Sequence, residues 1–302
     1  MNPILLALLP DGMLIALGAY LRRTVSAQAW AQLDKLNFQI LFPALIFSAA
    51  SGRATSLSDL AMMGAGVWGV IFLGFLFALL LRPWGPEKFL DFAGLWQTAW
   101  RFNAAIALVA VQALPPETAA LMSVAIGCAV PVANLLAVGA LSRGTSMPLA
   151  KTVMMVATNP FLLASLAGVI VALNDLHIPV ILDAFVSRLA YAAVPLALLS
   201  IGASLDFGAF ARLNLFQTGL NAIKLLLLPL SALALTSLLQ MPPAPAAVLI
   251  IFAALPTASA AHVMASAFGA DRGMVANLIA QSTLLGCLSL PFWVAVAVHA
   301  SQ

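Results

Sequence analysis

Charged and polar side chains that lie inside long apolar stretches are the residues of this sequence that could do chemistry. Arg101 and Asn103 stand two residues apart in "LWQTAWRFNAAIALVAV". A guanidinium can pair with a carboxylate through two parallel hydrogen bonds, and an asparagine amide offers both a donor and an acceptor. A regular helix would turn the two side chains to different sides, whereas an unwound stretch would let both face one cavity. Arg101 has a structural alternative, in which it pairs with Asp11 or caps a broken helix.

Three further ionisable residues occur in apolar surroundings, namely Lys224, Asp11 and His262. An ionisable side chain in the middle of a membrane costs at least about 2.5 to 3.5 kcal/mol, so each one calls for a partner or a task. Lys224 could hold an anion electrostatically, or lock one conformation by pairing. Asp11 could bind and release a proton, or be a fixed counter-ion for Arg101 or Lys224. His262 could carry a proton near physiological pH, or pack against a backbone carbonyl.

Pro256 lies in the middle of another apolar stretch, in "ALPTASAAH". A proline inside a helix removes one internal hydrogen bond and clashes with the preceding turn. The freed carbonyls and the small side chains Thr257 and Ser259 would then be available to a ligand. The alternative is a simple kink with no role in binding.

Membrane helices must position these residues. The composition is 63% hydrophobic and only 8% charged, whereas about a quarter of the residues of soluble domains are charged. Apolar stretches of the roughly 20 residues needed to cross a bilayer recur along the chain, and backbone hydrogen bonding in lipid favours helices for such unbroken runs. We therefore predict an all-α polytopic membrane protein with ten spans. Their approximate bounds are 4–21, 36–50, 61–82, 92–113, 118–141, 152–173, 180–205, 214–239, 246–268 and 275–298. The second span is short, and an alternative start lies nearer Ala31, because Asp34 and Lys35 can sit at the membrane interface.

The positions of Lys and Arg predict the orientation. The odd-numbered connections hold nine of these residues and the even-numbered connections hold two. Because positively charged connections stay cytoplasmic, both termini are expected outside, on the periplasmic side of a cell (inner) membrane. The first apolar stretch is followed, not preceded, by basic residues, which indicates a membrane helix rather than a cleaved signal.

The chain also repeats itself. "NPILLALL" at the start returns as "NPFLLASL" about 157 residues later, "FPALIFSAA" with Pro43 resembles "VPLALLSIGA" with Pro195, and "CAVP" resembles "CLSLP". We interpret residues 1–145 and 146–302 as two copies of a five-helix unit. An odd number of crossings makes the second copy inverted, and inverted repeats are typical of secondary transporters that open alternately to both sides. Pro43 and Pro195 would act as repeat or hinge prolines.

The sequence resembles the auxin efflux carrier family over nearly its whole length. The likeness rests on "NPFLLASLAGVIVAL", "AAVPLALLSIGASL", "KLLLLPL", "ALPTASAAHVMASAFGAD" and "STLLGCLSLPFWV". It implies two inverted five-helix repeats, in which spans four and nine are broken and cross at the centre. It also implies that an organic anion moves by an elevator-like motion.

The resemblance extends to single residues. Asn103 matches the asparagine of the family's span four, which favours substrate contact, and Pro256 would form the crossover of span nine. Lys224 matches the lysine of "KLLLLPL". Ala110 departs from the family, which commonly has proline there, so the sharpness of the break in span four stays open.

The function expected from these observations is secondary transport of small organic anions, such as malonate, malate or auxin-like indole acids. A sodium-coupled symporter similar to the bile-acid symporters is an alternative, but no acidic residue accompanies Asn103, Thr257 and Ser259. An intramembrane enzyme is a remote alternative, because HExxH and GxSxG motifs do not occur, and neither does the ATP-binding motif GxxxxGK[ST]. We expect lipid, the anion and protons as partners, with a homodimer left open. We expect no cofactor, metal site or nucleic-acid partner, and we expect Cys128 and Cys287 to be packing residues.

Overall fold

The structure is a computed structural model that describes residues 13–14, 16–51, 57–115, 117–143, 150, 154, 157–158, 160–204, 208, 213–258 and 260–300. The opening "NPILLALL", Asp11, Asn159 and Ser259 lie outside these residues. The predictions that rest on them therefore stay predictions.

The described elements are helices. The α-helices up to residue 173 are α1 (Ala27–Leu36), α2 (Phe42–Ser51), α3 (Leu57–Leu80), α4 (Phe89–Trp96), α5 (Ala104–Ala110), α6 (Glu117–Ser142) and α7 (Pro160–Leu173). Those from residue 180 onward are α8 (Val180–Ser204), α9 (Leu215–Ala222), α10 (Leu228–Leu238), α11 (Pro243–Ala254), α12 (Ala260–Phe268) and α13 (Arg272–Ala300). Residues 16–21 are also helical. The π-helical turns are Asn37–Leu41 and Ile223–Leu227, and the 3₁₀ turns are Arg82–Trp84, Gln97–Ala99 and Val111–Ala113.

Five helical segments within the described residues are long and apolar enough to cross a membrane. They are Leu60–Leu80, Thr118–Ser142, Val180–Ser200, Leu215–Leu238 and Gly273–His299. Shorter apolar helices occupy Leu162–Leu173 and Pro243–Ala254. The protein is therefore an all-helical integral membrane protein, and each of these segments overlaps a predicted span.

The helix predicted at 36–50 begins earlier than expected. The Ser26 hydroxyl accepts a hydrogen bond from the backbone N–H of Ala29 and caps α1, which starts at Ala27. From Ala27 the helix runs through the π-helical turn into α2. The polar residues of α1 shortened the prediction, but one of them has a partner inside the fold, because Asp34 Oδ1 accepts a hydrogen bond from the Ser200 hydroxyl.

α11 forms the centre of the core. Every residue from Pro245 to Ala254 is buried, and the helix packs against α3, α6, α10 and α13. A helix that is apolar on all sides is expected to be enclosed in this way. The close approach of α3 depends on Gly66, because a Cβ atom there would lie 3.0 Å from a methyl carbon of Leu249.

A second packing group consists of α2, α7 and α8, in which α2 contacts both of the others. α2 and α7 approach closely at Gly168, where a Cβ atom would lie 2.7 Å from the Ala50 Cβ atom. Pro43 lies in α2 and Pro195 lies inside α8. Pro43 and Pro195, which occupy equivalent positions in the sequence repeat, thus lie in helices that contact each other.

Candidate functional site

The first of two helix breaks lies at Arg101–Asn103. α4 and its 3₁₀ turn end at Ala99, residues 101–103 are not helical, and α5 begins at Ala104. Asn103 starts the new helix, because its Oδ1 atom accepts a hydrogen bond from the backbone N–H of Ile106 at 3.2 Å. Asparagine is among the preferred N-cap residues for this reason. The span is therefore broken without a proline at Ala110, which answers the question that this departure left open.

The second break follows α11. Leu255, Pro256 and Thr257 are buried and not helical, and α12 begins at Ala260. Leu255 has the extended conformation, with φ −62° and ψ 138°, which a following proline favours. The Ser282 hydroxyl of α13 accepts a hydrogen bond from the backbone N–H of Thr257 at 3.1 Å. The Thr257 hydroxyl is completely buried and has no partner among the described residues.

The two breaks meet. The backbone N–H of Asn103 donates a hydrogen bond to the carbonyl of Pro256 at 3.0 Å. The rings of Phe102 and Phe252 also contact each other, with 4.6 Å between their centroids. Backbone groups that neither helix uses are therefore paired across the two breaks, as burial in an apolar environment requires.

Arg101 is buried beside this junction, with 7% of its surface exposed. Its Nη2 atom donates to Asn134 Oδ1 at 3.0 Å, and its Nη1 atom donates to Met264 Sδ at 3.4 Å and to Gln97 Oε1 at 3.5 Å. Gln97 is itself fixed, because its Nε2 atom donates to the carbonyl of Ala261 at 3.2 Å. Arg101 and Gln97 thus connect the first break to α12, which follows the second.

The partners of the guanidinium among the described residues are all neutral. Within the part of the chain that the structure describes, no carboxylate lies within 4.0 Å of the Arg101 guanidinium. The ion pair found among the described residues joins Lys88 and Asp91 instead. Asp11, which the sequence offered as a counter-ion, lies outside the described residues. A buried cation without a counter-charge is costly and is usually paired, so Arg101 is a strong candidate for binding an anion.

Lys224 is a second buried cation, with 3% of its surface exposed. It lies in the π-helical turn Ile223–Leu227, where Trp293 donates a hydrogen bond to the carbonyl of Leu225 at 2.9 Å. Such turns are frequent at functional sites. The Lys224 ammonium makes no hydrogen bond or ion pair with any described residue.

Buried amide side chains lie on and beside the helix face that carries Lys224. Asn221 Nδ2 donates to Gln281 Oε1 at 3.4 Å, and Gln281 Nε2 donates to Gln217 Oε1 at 3.2 Å. Gln217, Asn221 and Lys224 occur at i, i+4 and i+7, which places them on one helix face. These buried hydrogen bonds connect α9 to α13 beside Lys224.

The structure brings some of the predicted residues together and adds contacts that the sequence did not suggest. Pro256, Thr257, Arg101 and Asn103 lie at the meeting of the two breaks, and His262 is half-buried in α12 just beyond it. Cys128 and Cys287 are free thiols. The residues that contact Arg101 or the second break and were missed are Gln97, Asn134, Met264 and Ser282. A search for amides as well as ionisable residues inside apolar spans would have found Gln97 and Asn134.

Comparison with known proteins adds to this geometry. Residues 149–294 match the family described as membrane transport protein. This segment is therefore similar to that family, in agreement with the resemblance to the auxin efflux carrier family seen in the sequence. An uncharacterized transporter from Methanothermobacter thermautotrophicus is 33% identical to the chain over 134 residues, which are 44% of each protein. The chain therefore spans less than half the length of this relative.

Over residues 149–294 the match confirms the resemblance seen in the sequence. Pro256, Lys224 and His262 lie inside the matched segment, whereas Arg101 and Asn103 precede it. The second break is thus a feature of the family segment. Arg101 lies outside the matched segment, so its role rests on its own contacts.

Proposed function

We propose that this protein, which is similar to the membrane transport protein family over residues 149–294, is a secondary active transporter of small organic anions. The observation that carries the proposal is Arg101, a buried cation held only by neutral acceptors where two broken membrane helices meet. Carboxylates such as malonate, malate or auxin-like indole acids would supply the negative charge that the described residues around Arg101 do not.

The hydrogen-bonding capacity of Arg101 supports this assignment. A guanidinium has five N–H donors, and three hydrogen bonds to described residues engage Arg101. The two donors that are left are enough for a bidentate carboxylate. Asn103, Pro256, Thr257 and Ser259 would line the same site, and Lys224 would attract the anion electrostatically.

We further propose that the chain forms ten membrane spans in two inverted five-helix repeats, residues 1–145 and 146–302. Support comes from the two broken segments, residues 89–113 and 243–268, which occupy the fourth and ninth predicted spans. In an inverted repeat, broken helices near the middle of the membrane form the substrate site. Both termini would face the periplasm across the inner membrane.

The packing of the helices suggests how such a protein could open alternately to both sides. Helices α7 and α8 pack on α2 in one group, while α11 ends at the second break and packs against α3, α6, α10 and α13 in a second group. Helix α5, which follows the first break, contacts both α11 and α8 and therefore lies between the two groups. In an elevator-type mechanism the second group would carry the anion past the first. Pro43 and Pro195 lie in the first group. As hinge prolines they would bend the helices along which the second group slides.

Proton coupling is the proposed energy source. Asp11 or His262 would carry the proton, because an anion and a proton together cross lipid without net charge. His262 follows Ala261, whose carbonyl accepts the hydrogen bond from Gln97, so it adjoins the group that holds Arg101. Sodium coupling of the bile-acid symporter type is the alternative to be distinguished by experiment.

The test uses purified protein in liposomes, with uptake of labelled malonate, malate and indole-3-acetate measured separately under an imposed pH gradient or an imposed sodium gradient. We expect uptake of one of these anions to follow the pH gradient. We also expect Arg101→Lys to weaken affinity about tenfold or more, because lysine keeps the charge but lacks the planar fork. Arg188→Lys, on the exposed part of α8, is the matched control. Unchanged affinity in Arg101→Lys would make Arg101 a structural residue.

Asp11→Asn and His262→Gln separate coupling from binding. Each variant removes a titratable group while keeping its approximate shape. We expect one of them to abolish the response to the pH gradient while purified protein still binds the anion. A full response in both variants would contradict proton coupling through these residues, and a response to sodium alone would favour the symporter alternative.

A further inference from the structure

The three acceptors around Arg101 come from different parts of the fold. Gln97 belongs to the turn that precedes Arg101, Asn134 belongs to α6 and Met264 belongs to α12. The bond to Asn134 Oδ1 is the shortest of the three, at 3.0 Å. Asn134 is therefore the principal acceptor from a neighbouring helix.

The position of Asn134 relative to Arg101 is fixed by its neighbours. The indole N–H of Trp100, which immediately precedes Arg101, donates to the carbonyl of Ala133 at 3.2 Å. Two consecutive residues of one segment thus bond to two consecutive residues of α6. Because Trp100 is buried, with 1% of its surface exposed, this attachment is shielded from water and holds the guanidinium in one orientation.

The chemistry of residue 134 determines the charge of the site. Aspartate has nearly the same shape as asparagine and would also accept the hydrogen bond from Nη2. It would, however, form a charge-assisted bond with the guanidinium and neutralise it. A carboxylate ligand would then enter an apolar environment without a counter-charge, which is strongly unfavourable.

We propose that Asn134 is a specificity-determining residue, which orients Arg101 through a neutral oxygen and leaves its charge for a substrate carboxylate. This inference rests on the proposed function, in which Arg101 binds the anion. Asn134 is a positioning residue here, since it acts through Arg101. The site selects anions because Arg101 supplies a positive charge, while the amide oxygen of Asn134 that holds the guanidinium carries no negative charge.

The first experiment needs no ligand. A double-mutant cycle combines Asn134→Asp with Arg101→Gln, and thermal unfolding of the purified proteins is measured in detergent. We expect Asn134→Asp to leave the melting temperature unchanged or to raise it when Arg101 is present. In the Arg101→Gln background we expect it to lower the melting temperature by about 2 to 4 °C, because a half-buried carboxylate is left without its cationic partner.

Asn277→Asp is the matched control for this cycle. Asn277 is a buried amide, with 8% of its surface exposed, whereas Asn134 is half-buried, and the Asn277 Oδ1 atom has no partner among the described residues. We expect Asn277→Asp to lower the melting temperature by the same amount with or without Arg101. Equal effects of Asn134→Asp in the two backgrounds would overturn the inference.

The second experiment measures binding of malonate, malate and indole-3-acetate to wild-type protein, Asn134→Asp and Asn134→Ala. We expect the anion that binds the wild type to bind Asn134→Asp at least about tenfold more weakly, and Asn134→Ala to lie between them. A purely structural role gives the opposite order, because alanine removes the contact and aspartate keeps it. That opposite order, or wild-type affinity in Asn134→Asp, would overturn the inference.

Arg101→Gln distinguishes the inference from the proposed function. If this variant binds the anion as tightly as the wild type, the assignment of Arg101 as substrate ligand is wrong, and the proposed function loses its main support. If Arg101→Gln loses affinity while Asn134→Asp keeps it, only the role of Asn134 is wrong. If none of the three anions binds the wild type, the proposed substrate class is wrong, and the ligand-free cycle decides whether Asn134 controls the charge of Arg101.

Discussion

The contact between Gly286 and Pro256 allows a direct test of whether the second helix break takes part in transport. A Cβ atom at position 286 would lie 3.0 Å from Cβ and 3.1 Å from Cγ of Pro256. The proline ring is closed onto its own backbone and cannot rotate away from an added methyl group. Gly286→Ala must therefore shift the segment whose carbonyl accepts the hydrogen bond from Asn103.

Two opposing terms set the stability of this variant. Overpacking a buried position costs about 1 to 3 kcal/mol, whereas replacing glycine by alanine inside a helix gains about 1 kcal/mol. The net loss is about 0 to 2 kcal/mol, which leaves the fold intact. The neighbouring ring must give by a few tenths of an ångström, and under the proposed function transport depends on the position of the break. We expect the maximal uptake rate to fall about tenfold, equivalent to about 1.4 kcal/mol in the barrier.

The assay compares initial uptake rates in liposomes with the yield and melting temperature of the purified protein. Gly139→Ala is the matched control, because Gly139 also lies in a membrane helix and a Cβ atom there meets nothing within 4 Å. We expect this control to keep wild-type uptake. Equal uptake by Gly286→Ala and Gly139→Ala, at equal protein amounts, would refute the idea that the position of Pro256 controls transport.

Three further predictions use other parts of the fold. Pro256→Ala should lower uptake far more than folded yield, because a continuous helix would withdraw the carbonyl that Asn103 contacts, and wild-type uptake would show that Pro256 is only a kink. Trp293→Phe should leave the carbonyl of Leu225 without its donor and destabilise the protein by about 1 to 3 kcal/mol, measured by thermal unfolding against Trp84→Phe at an exposed position. A reporter fused at Gln302 should behave as periplasmic and one in "SRGTSMP" as cytoplasmic, and the reverse pattern would contradict the inverted assignment.

Much of the fold could be predicted because the membrane imposes a simple rule. The apolar stretches at 118–141, 180–205 and 214–239 correspond to the membrane-spanning segments Thr118–Ser142, Val180–Ser200 and Leu215–Leu238, since about 20 apolar residues are needed to cross the hydrocarbon core. The start of the helix at Ala27 was missed because its stabilising contacts are not apolar. They are a cap at Ser26 and the bond between Asp34 and Ser200, which joins residues far apart in the chain.

The candidate site was predicted less completely, for a related reason. The types of Arg101 and Pro256 identify them as unusual in an apolar span, whatever surrounds them. The partners Met264 and Ser282 are ordinary in type and become significant only through tertiary contacts, whereas the type of Asn134 marks it as polar but does not show that it contacts Arg101. A sequence without aligned relatives gives no signal for contacts between residues 33 or 163 positions apart.

The two breaks are made by different local devices, and one hydrogen bond joins them. The second break includes a proline, which favours the extended conformation of the preceding Leu255, and the carbonyl of Pro256 accepts its hydrogen bond from the other segment. The first break needs a hydrogen-bond donor instead. Asn103 caps α5 with its side chain and donates its backbone N–H to the other segment. A proline at this position could not do so, because it has no N–H. Ala110 lies after this cap, at the end of α5, and does not need to break the helix. The departure from the family at residue 110 is therefore compatible with a crossing of the two segments, because Asn103 and Pro256 supply the complementary donor and acceptor that the crossing requires.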